Sequence, residues 1–249
     1  MSKTLIAAAR TFVLIPLFFV LTLVYSAFII VYGIFRPAAP IFERIVKHWA
    51  RTFLHIPPVQ LTVEGIEHVD PHTRYVVVSN HLSTFDIPLL FAVLPIDGRF
   101  LAKKELFKIP LVAPAMRRIG IIEVDRQAGG SSRQAINDGV KLAAERGYSL
   151  IVFPEGTRSD AHELLPFKKG AFRIAIDTGL PILPVIIEGT DRISTPGSKL
   201  CYPGQAKIRV LPPIETADLT NRDDLTSLMR TTEEAITKSY NELQSRSDV

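Results

Sequence analysis

His81 and Asp86 stand five residues apart in the stretch Tyr75-Val76-Val77-Val78-Ser79-Asn80-His81-Leu82-Ser83-Thr84-Phe85-Asp86-Ile87-Pro88. A carboxylate in reach of an imidazole holds one tautomer and leaves the far ring nitrogen free to act as a base. On one continuous helix this spacing points the two side chains apart, so they meet only if a turn lies between them. The bland alternative is that Asp86 caps a helix. A second polar cluster follows at Phe153-Pro154-Glu155-Gly156-Thr157-Arg158-Ser159. Gly156 permits a close backbone approach, and Arg158 offers a planar fork suited to phosphate oxygens. Lys168 and Lys169 add positive charge downstream, whereas Glu155 with Arg158 also reads as an ordinary surface ion pair.

These residues need strands and turns to carry them. The run Val76 to Val78 reads as a strand covered on both faces. Pro88 fits only a first helical turn, which starts the next helix near Phe85 or Asp86 and leaves His81 on a loop. Further strands are expected at Val59–Val63, Arg99–Lys103, Ile119–Val124, Ser149–Phe153, Ile182–Ile187 and Lys207–Leu211. Helices are expected from Asp86 to Val93, from Ser131 or Ser132 to Arg146, at Lys169–Thr178 and at Leu225–Leu243, with Gly147 and Gly179 as stops. Alternation of this kind predicts one α/β domain with a largely parallel or mixed sheet flanked by helices. Ligands of such sheets bind beyond the carboxyl ends of the strands, and His81, Lys103 and Glu155 all follow strands.

Thr11 to Phe35 holds twenty-five residues without a charge, enough for a membrane span of about 20 residues. A cleavable signal has a shorter apolar core of about 7–15 residues, so an uncleaved anchor over residues 1–36 is expected. Pro16 leaves a kinked or re-entrant form open. Arg36, Arg44, Lys47 and Arg51 outnumber Lys3 and Arg10, which places the following chain on the cytoplasmic face. Residues 37–56 carry Phe42, Ile45, Val46, Trp49 and Phe53 on one helical side and Arg44, Lys47, His48 and Arg51 on the other. That pattern suits a basic amphipathic helix at an anionic membrane surface, and equally a helix packed on the domain formed by residues 57–249.

Composition narrows the function classes. Hydrophobic residues make up 47% of the 249, and the net charge of +4 suits an anionic partner. Nucleic acid is not expected, because no helix-turn-helix, zinc or ribonucleoprotein signature is present. The single cysteine, Cys201, rules out an internal disulfide framework.

Taken in order, Asn80-His81-(x)4-Asp86, Gly120 to Arg126, Phe153 to Ser159 and Leu183-Pro184-Val185 resemble the glycerolipid acyltransferase family, nearest to bacterial 1-acylglycerol-3-phosphate O-acyltransferases. The resemblance implies acyl transfer from an acyl-CoA or acyl-carrier protein thioester to the sn-2 hydroxyl of lysophosphatidic acid, with no bound cofactor and no metal. It implies His81 as base and Asp86 as its orienting partner. Lys103, Arg126, Glu155, Gly156, Thr157 and Arg158 form the implied substrate-binding set, with Arg158, Lys103 and then Arg126 toward the phosphate. Another lysolipid acceptor, glycerol 3-phosphate or an amino-acid lipid would use the same chemistry. A membrane-bound esterase or thioesterase is the alternative activity, although no Gly-x-Ser-x-Gly nucleophile elbow is present. A non-catalytic lipid-binding scaffold is the third reading.

Overall fold

The three valines Val76 to Val78 lie at the centre of the sheet in the computed structural model, which describes residues 3–37, 39–125, 130–159, 163–195, 197–198 and 200–245. The chain opens with helices α1 (Lys3–Phe35) and α2 (Ile41–Leu54). It continues through β1 (Val59–Glu64), β2 (Val76–Ser79), α3 (Asp86–Val93), β3 (Gly98–Lys103), α4 (Val112–Ile119), β4 (Ile122–Val124), α5 (Gly130–Glu145) and β5 (Ser149–Val152). It closes with α6 (Gly170–Thr178), β6 (Ile182–Glu188), α7 (Thr190–Ile193), β7 (Gly204–Val210) and α8 (Arg222–Ser245).

The described strands form one mixed sheet in the order β1-β7-β6-β2-β5-β3-β4. All neighbours run parallel except β6 and β7, so β1 and β7 point opposite to the rest. Successive side chains of a strand face opposite ways. Val76 and Val78 accordingly enter the core shared with Phe172, Leu225 and Ile236, while Val77 enters the core shared with Leu89, Leu90 and Phe91. Helices therefore cover both faces, which is why the central strands read as unbroken apolar runs.

Helix α2 turns its apolar side toward protein. Phe42, Val46 and Ala50 are buried, Phe53 packs on Phe85 with ring centroids 4.6 Å apart, and Trp49 and Phe53 both meet Phe18 of α1. Glu43 forms a salt bridge with buried Arg99 at the start of β3, and Arg99 also donates to Gly98 O and Ile119 O and lies over the Tyr148 ring. Arg44, His48 and Arg51 remain exposed on the far side. Helix α1 is long and apolar enough to cross a membrane. It also touches the body along its length. The Cys201 N–H donates to Thr11 Oγ1, Trp49 Nε1 donates to Thr22 Oγ1, and Arg118 Nη1 donates to Gly33 O.

Two expectations need correction. Ile119 ends a helix rather than beginning a strand, and β4 starts only at Ile122. The hidden helix, α4, is short and carries Pro114 in its first turn, where proline is tolerated, so with Pro110 just before it the stretch imitates a loop. The four-residue α7 has no apolar periodicity to announce it and was not expected.

Candidate active site

β2 ends at Ser79, and the next two residues leave the sheet by different means. Asn80 stays locked to it: its side chain donates to Ile187 O and accepts from Ile187 N, both at 2.8 Å, so the amide takes the place of one more ladder rung against β6. His81 then enters the loop, and its ring stacks on Phe153 at the end of β5 with centroids 4.1 Å apart. His81 Nδ1 lies 2.7 Å from Asp86 Oδ2. The turn between the two residues therefore brings them together as the spacing requires.

Asp86 does not cap its own helix. It is fully buried, and its carboxylate turns back into the loop, where Oδ2 also accepts the Leu82 and Ser83 N–H groups at 2.7 and 2.8 Å. Oδ1 accepts the Thr190 hydroxyl at 2.6 Å. Four donors satisfy a buried carboxylate in its charged form. An ionised carboxylate only accepts hydrogen bonds, so the Nδ1 facing it carries the proton. Nε2 then holds a lone pair, and it has no hydrogen-bond partner among the described residues. An imidazole held in this way can take a proton from a hydroxyl at Nε2.

The Glu155 loop is laced to the His81 loop from both sides. His81 N donates to Glu155 Oε1 at 2.7 Å, and Ser159 N donates to His81 O at 3.0 Å. Glu155 is buried, not half of a surface ion pair, and its Oε2 accepts the Leu165 N–H at 2.9 Å. Gly156 makes the turn with φ at +73°, a conformation side chains rarely adopt, and a Cβ there would lie 2.7 Å from Lys168 Nζ. Thr157 is exposed and Arg158 half-buried, between the two residues that touch His81. Arg158 has no ion-pair partner among the described residues.

Lys103 is exposed at the end of β3. β5 separates β3 from β2, so the end of β3 lies two strand spacings, about 10 Å, from the end of β2 along the same rim. Its neighbour Lys104 is taken by Asp125, with 2.7 Å between Nζ and Oδ2. Arg126 lies outside the described residues. Among those described, no group of His, Cys, Asp or Glu side chains is placed to hold a metal. Phe153, quoted in the sequence only as the start of its block, and Thr190, not singled out there, complete the site. Thr190 follows Gly189, whose φ of +88° and whose approach to Gln205 O leave no room for a Cβ; that glycine was the only local signal.

Burial pushes the Glu155 carboxyl up to about 7, against the lowering effect of the Leu165 and His81 N–H groups. The folded chain therefore binds this proton more tightly than the unfolded chain does. Its contribution is fully present below the ordinary carboxyl range of about 4.3 and is lost as pH rises through about 7. We expect the melting temperature of wild type, relative to Glu155→Gln, to fall between pH 5 and pH 8, as read by a thermal series in matched buffers. A constant difference across that range would show that Glu155 does not titrate there.

Fold and rim together define an α/β protein of the enzyme kind, with a base-competent imidazole held by a buried carboxylate at the carboxyl edge of its sheet. A family model described as Acyltransferase matches residues 60–188, a little over half of the chain, and the chain belongs to that family. It is 35% identical over 166 residues to 1-acyl-sn-glycerol-3-phosphate acyltransferase alpha of Mus musculus, covering 66% of this chain and 58% of the mouse protein. It is 34% identical over 177 residues to the 1-acyl-sn-glycerol-3-phosphate acyltransferase of Saccharomyces cerevisiae, covering 69% and 58%. The chain thus spans somewhat less than two thirds of the length of these relatives. The crystal structure of the 1-acyl-sn-glycerophosphate (LPA) acyltransferase PlsC from Thermotoga maritima superposes with a TM-score of 0.73 at 27% identity, covering 90% of this chain and 95% of that one.

Proposed function

We propose that the chain moves an acyl group from an acyl-CoA or acyl-carrier protein thioester to the sn-2 hydroxyl of 1-acylglycerol 3-phosphate, giving phosphatidic acid. The observation that carries this reading is the His81 imidazole, held by Asp86 with Nε2 open and bracketed by the loop that bears Arg158. The activities named for the relatives supply the substrate class.

His81 Nε2 takes the hydroxyl proton as the oxygen attacks the thioester carbonyl. Asp86 stabilises the imidazolium that forms. When the tetrahedral intermediate collapses, the carbon–sulfur bond breaks and the imidazolium proton goes to the departing thiolate. A thioester is already activated, so neither a covalent enzyme intermediate nor a bound cofactor is needed. Arg158 and Lys103 supply positive charge for the acceptor's phosphate, and Arg126 belongs to the same set. Glu155 and Gly156 shape the loop that presents Arg158, with Thr157 at its exposed tip.

The length and apolar character of helix α1 support a site that works at a membrane, and the excess of basic residues after it favours the cytoplasmic side for the catalytic body. The contacts from Thr11 to Gly33 extend over about 33 Å of helix, as long as the hydrocarbon core is thick. They favour a helix that lies beside the body within the lipid over one that leaves it to cross the bilayer.

A panel of lysolipids offered with acyl-CoA and with acyl-carrier protein, and products identified by mass, tests the assignment. The expected product is phosphatidic acid, and exclusive acylation of an acceptor without phosphate would overturn it. Arg158→Ala should raise KM for lysophosphatidic acid about tenfold or more and leave the donor KM nearly unchanged. Arg158→Lys should restore only part of the loss, because the bidentate fork is gone. An unchanged lysolipid KM with unchanged turnover in Arg158→Ala would place phosphate recognition elsewhere.

A further inference from the structure

We propose that the segment from Lys103 to Arg118 is a second membrane-contact lip, separate from α1, which inserts Leu106 and Leu111 into an anionic lipid surface and lays Lys108 on its headgroups. This rests on the reading that the chain works at a membrane.

The segment runs through a 3-10 turn, Lys104–Lys108, into α4. Phe107 points inward and fastens the turn to the core, while Leu106 and Leu111 are 40% and 46% exposed. Leu111 is the one non-glycine at positive φ among the described residues, at φ 63° and ψ −44°. Glycine would adopt that backbone without strain, and in water an exposed leucine gains nothing in return. A lipid surface makes the choice sensible, since it buries the side chain that the turn pushes outward.

The charge follows the same outline. Residues 103–118 hold five cations, Lys103, Lys104, Lys108, Arg117 and Arg118, and one anion, Glu105, for a net +4 that equals the whole chain's. Lys104 and Arg117 are paired with Asp125 and Glu123, and Arg118 reaches Gly33. Lys103 and Lys108 stay exposed, without an ion-pair partner among the described residues. A cluster of this sign next to apolar side chains complements anionic lipid.

The lip is also continuous with the apolar surface of α1. Ala115 shares a cluster with Ile29 and Phe42, and Arg118 binds the last turn of α1, the end of the helix on which Phe28, Tyr32 and Phe35 are exposed. The segment begins at Lys103 on the rim that carries His81. Lipid bound here lies at the mouth of the site.

The test uses the full chain with Cys201→Ser and single labels of an environment-sensitive fluorophore at Leu106→Cys, Leu111→Cys, Val24→Cys on α1 and Glu234→Cys at an exposed position of α8. Each is checked for folding by its melting temperature, then mixed with phosphatidylcholine–phosphatidylglycerol vesicles that carry a quencher on their acyl chains. Quenching at 24, 106 and 111 but not at 234 is the expected result. Quenching at 24 alone overturns the lip and leaves the membrane reading intact. No quenching at 24, 106 or 111 overturns both.

A second arm uses Leu106→Ser/Leu111→Gly. This variant should lose about fivefold or more of its activity on acceptor in vesicles, the scale of half a buried leucine's transfer energy, and keep its activity in detergent micelles. Its melting temperature should not fall, because glycine relieves the strained turn at 111. Equal losses in vesicles and micelles by folded protein, or no loss in either, would overturn the proposal.

Discussion

His81→Ala is expected to lower turnover by at least about 10²-fold, the usual scale for a lost general base, while the protein stays folded. The stability half of this expectation comes from the surroundings of Asp86. Without the imidazole, its buried carboxylate still accepts Leu82 N, Ser83 N and Thr190 Oγ1, so no bare charge is left in the core. What is lost is one hydrogen bond to the carboxylate and the stack on Phe153, by a side chain that is 14% exposed. Rate and melting temperature measured on the same preparation decide the matter. A folded His81→Ala protein that transfers acyl groups near the wild-type rate would remove His81 from the mechanism.

Asp86 separates orientation from architecture, because its two simplest replacements differ in what they leave behind. Asp86→Asn keeps the shape and one accepting oxygen for the loop, and the Thr190 hydroxyl can reverse to accept from the new amide. It removes the negative charge that stabilises the imidazolium, so turnover should fall about 10²- to 10⁴-fold with the fold retained. Asp86→Ala instead orphans the Leu82 and Ser83 N–H groups and the Thr190 hydroxyl, at about 1–3 kcal/mol for each group left unpaired. The alanine variant should therefore melt well below the asparagine variant while being about as inactive. Full activity in Asp86→Asn would make the carboxylate a purely structural hub. The double variant His81→Ala/Asp86→Asn should be no slower than His81→Ala alone, because the two act as a unit.

Much of this site was legible because strand ends announce themselves. The β-branched run before Ser79 and the apolar run before Phe153 each stop at a polar turn, and the family resemblance joined the two. Sequence does not give the order of strands in a sheet. That β2 lies between β5 and β6 is what brings Glu155 to the His81 N–H, and Thr190 to Asp86 across 104 positions of chain. Helix α2 was ambiguous for a different reason. An apolar stripe at helical spacing looks the same whether it meets lipid or protein, and it takes contacts such as Phe53–Phe85 and Glu43–Arg99 to show that it meets protein. The exposed strain at Leu111 has no sequence signature, since nothing about a leucine announces a positive φ.

The buried pairing of Arg99 with Glu43 has a mechanical consequence. The bonds of the guanidinium run to α2, to Gly98 and to the end of α4, with Tyr148 beneath it. Lifting α2 from the sheet would strand that charge in a low-dielectric interior, a loss of about 3–5 kcal/mol for a broken buried pair. Helix α2 is therefore tied to the catalytic sheet through its interior, and α1 is tied in turn through Thr22 and Gly33, not hung from the body on a leash. On the membrane reading, these contacts are what set the height of His81 over the lipid. An acceptor then reaches the base by drifting sideways through the leaflet, and the enzyme meets it in two dimensions.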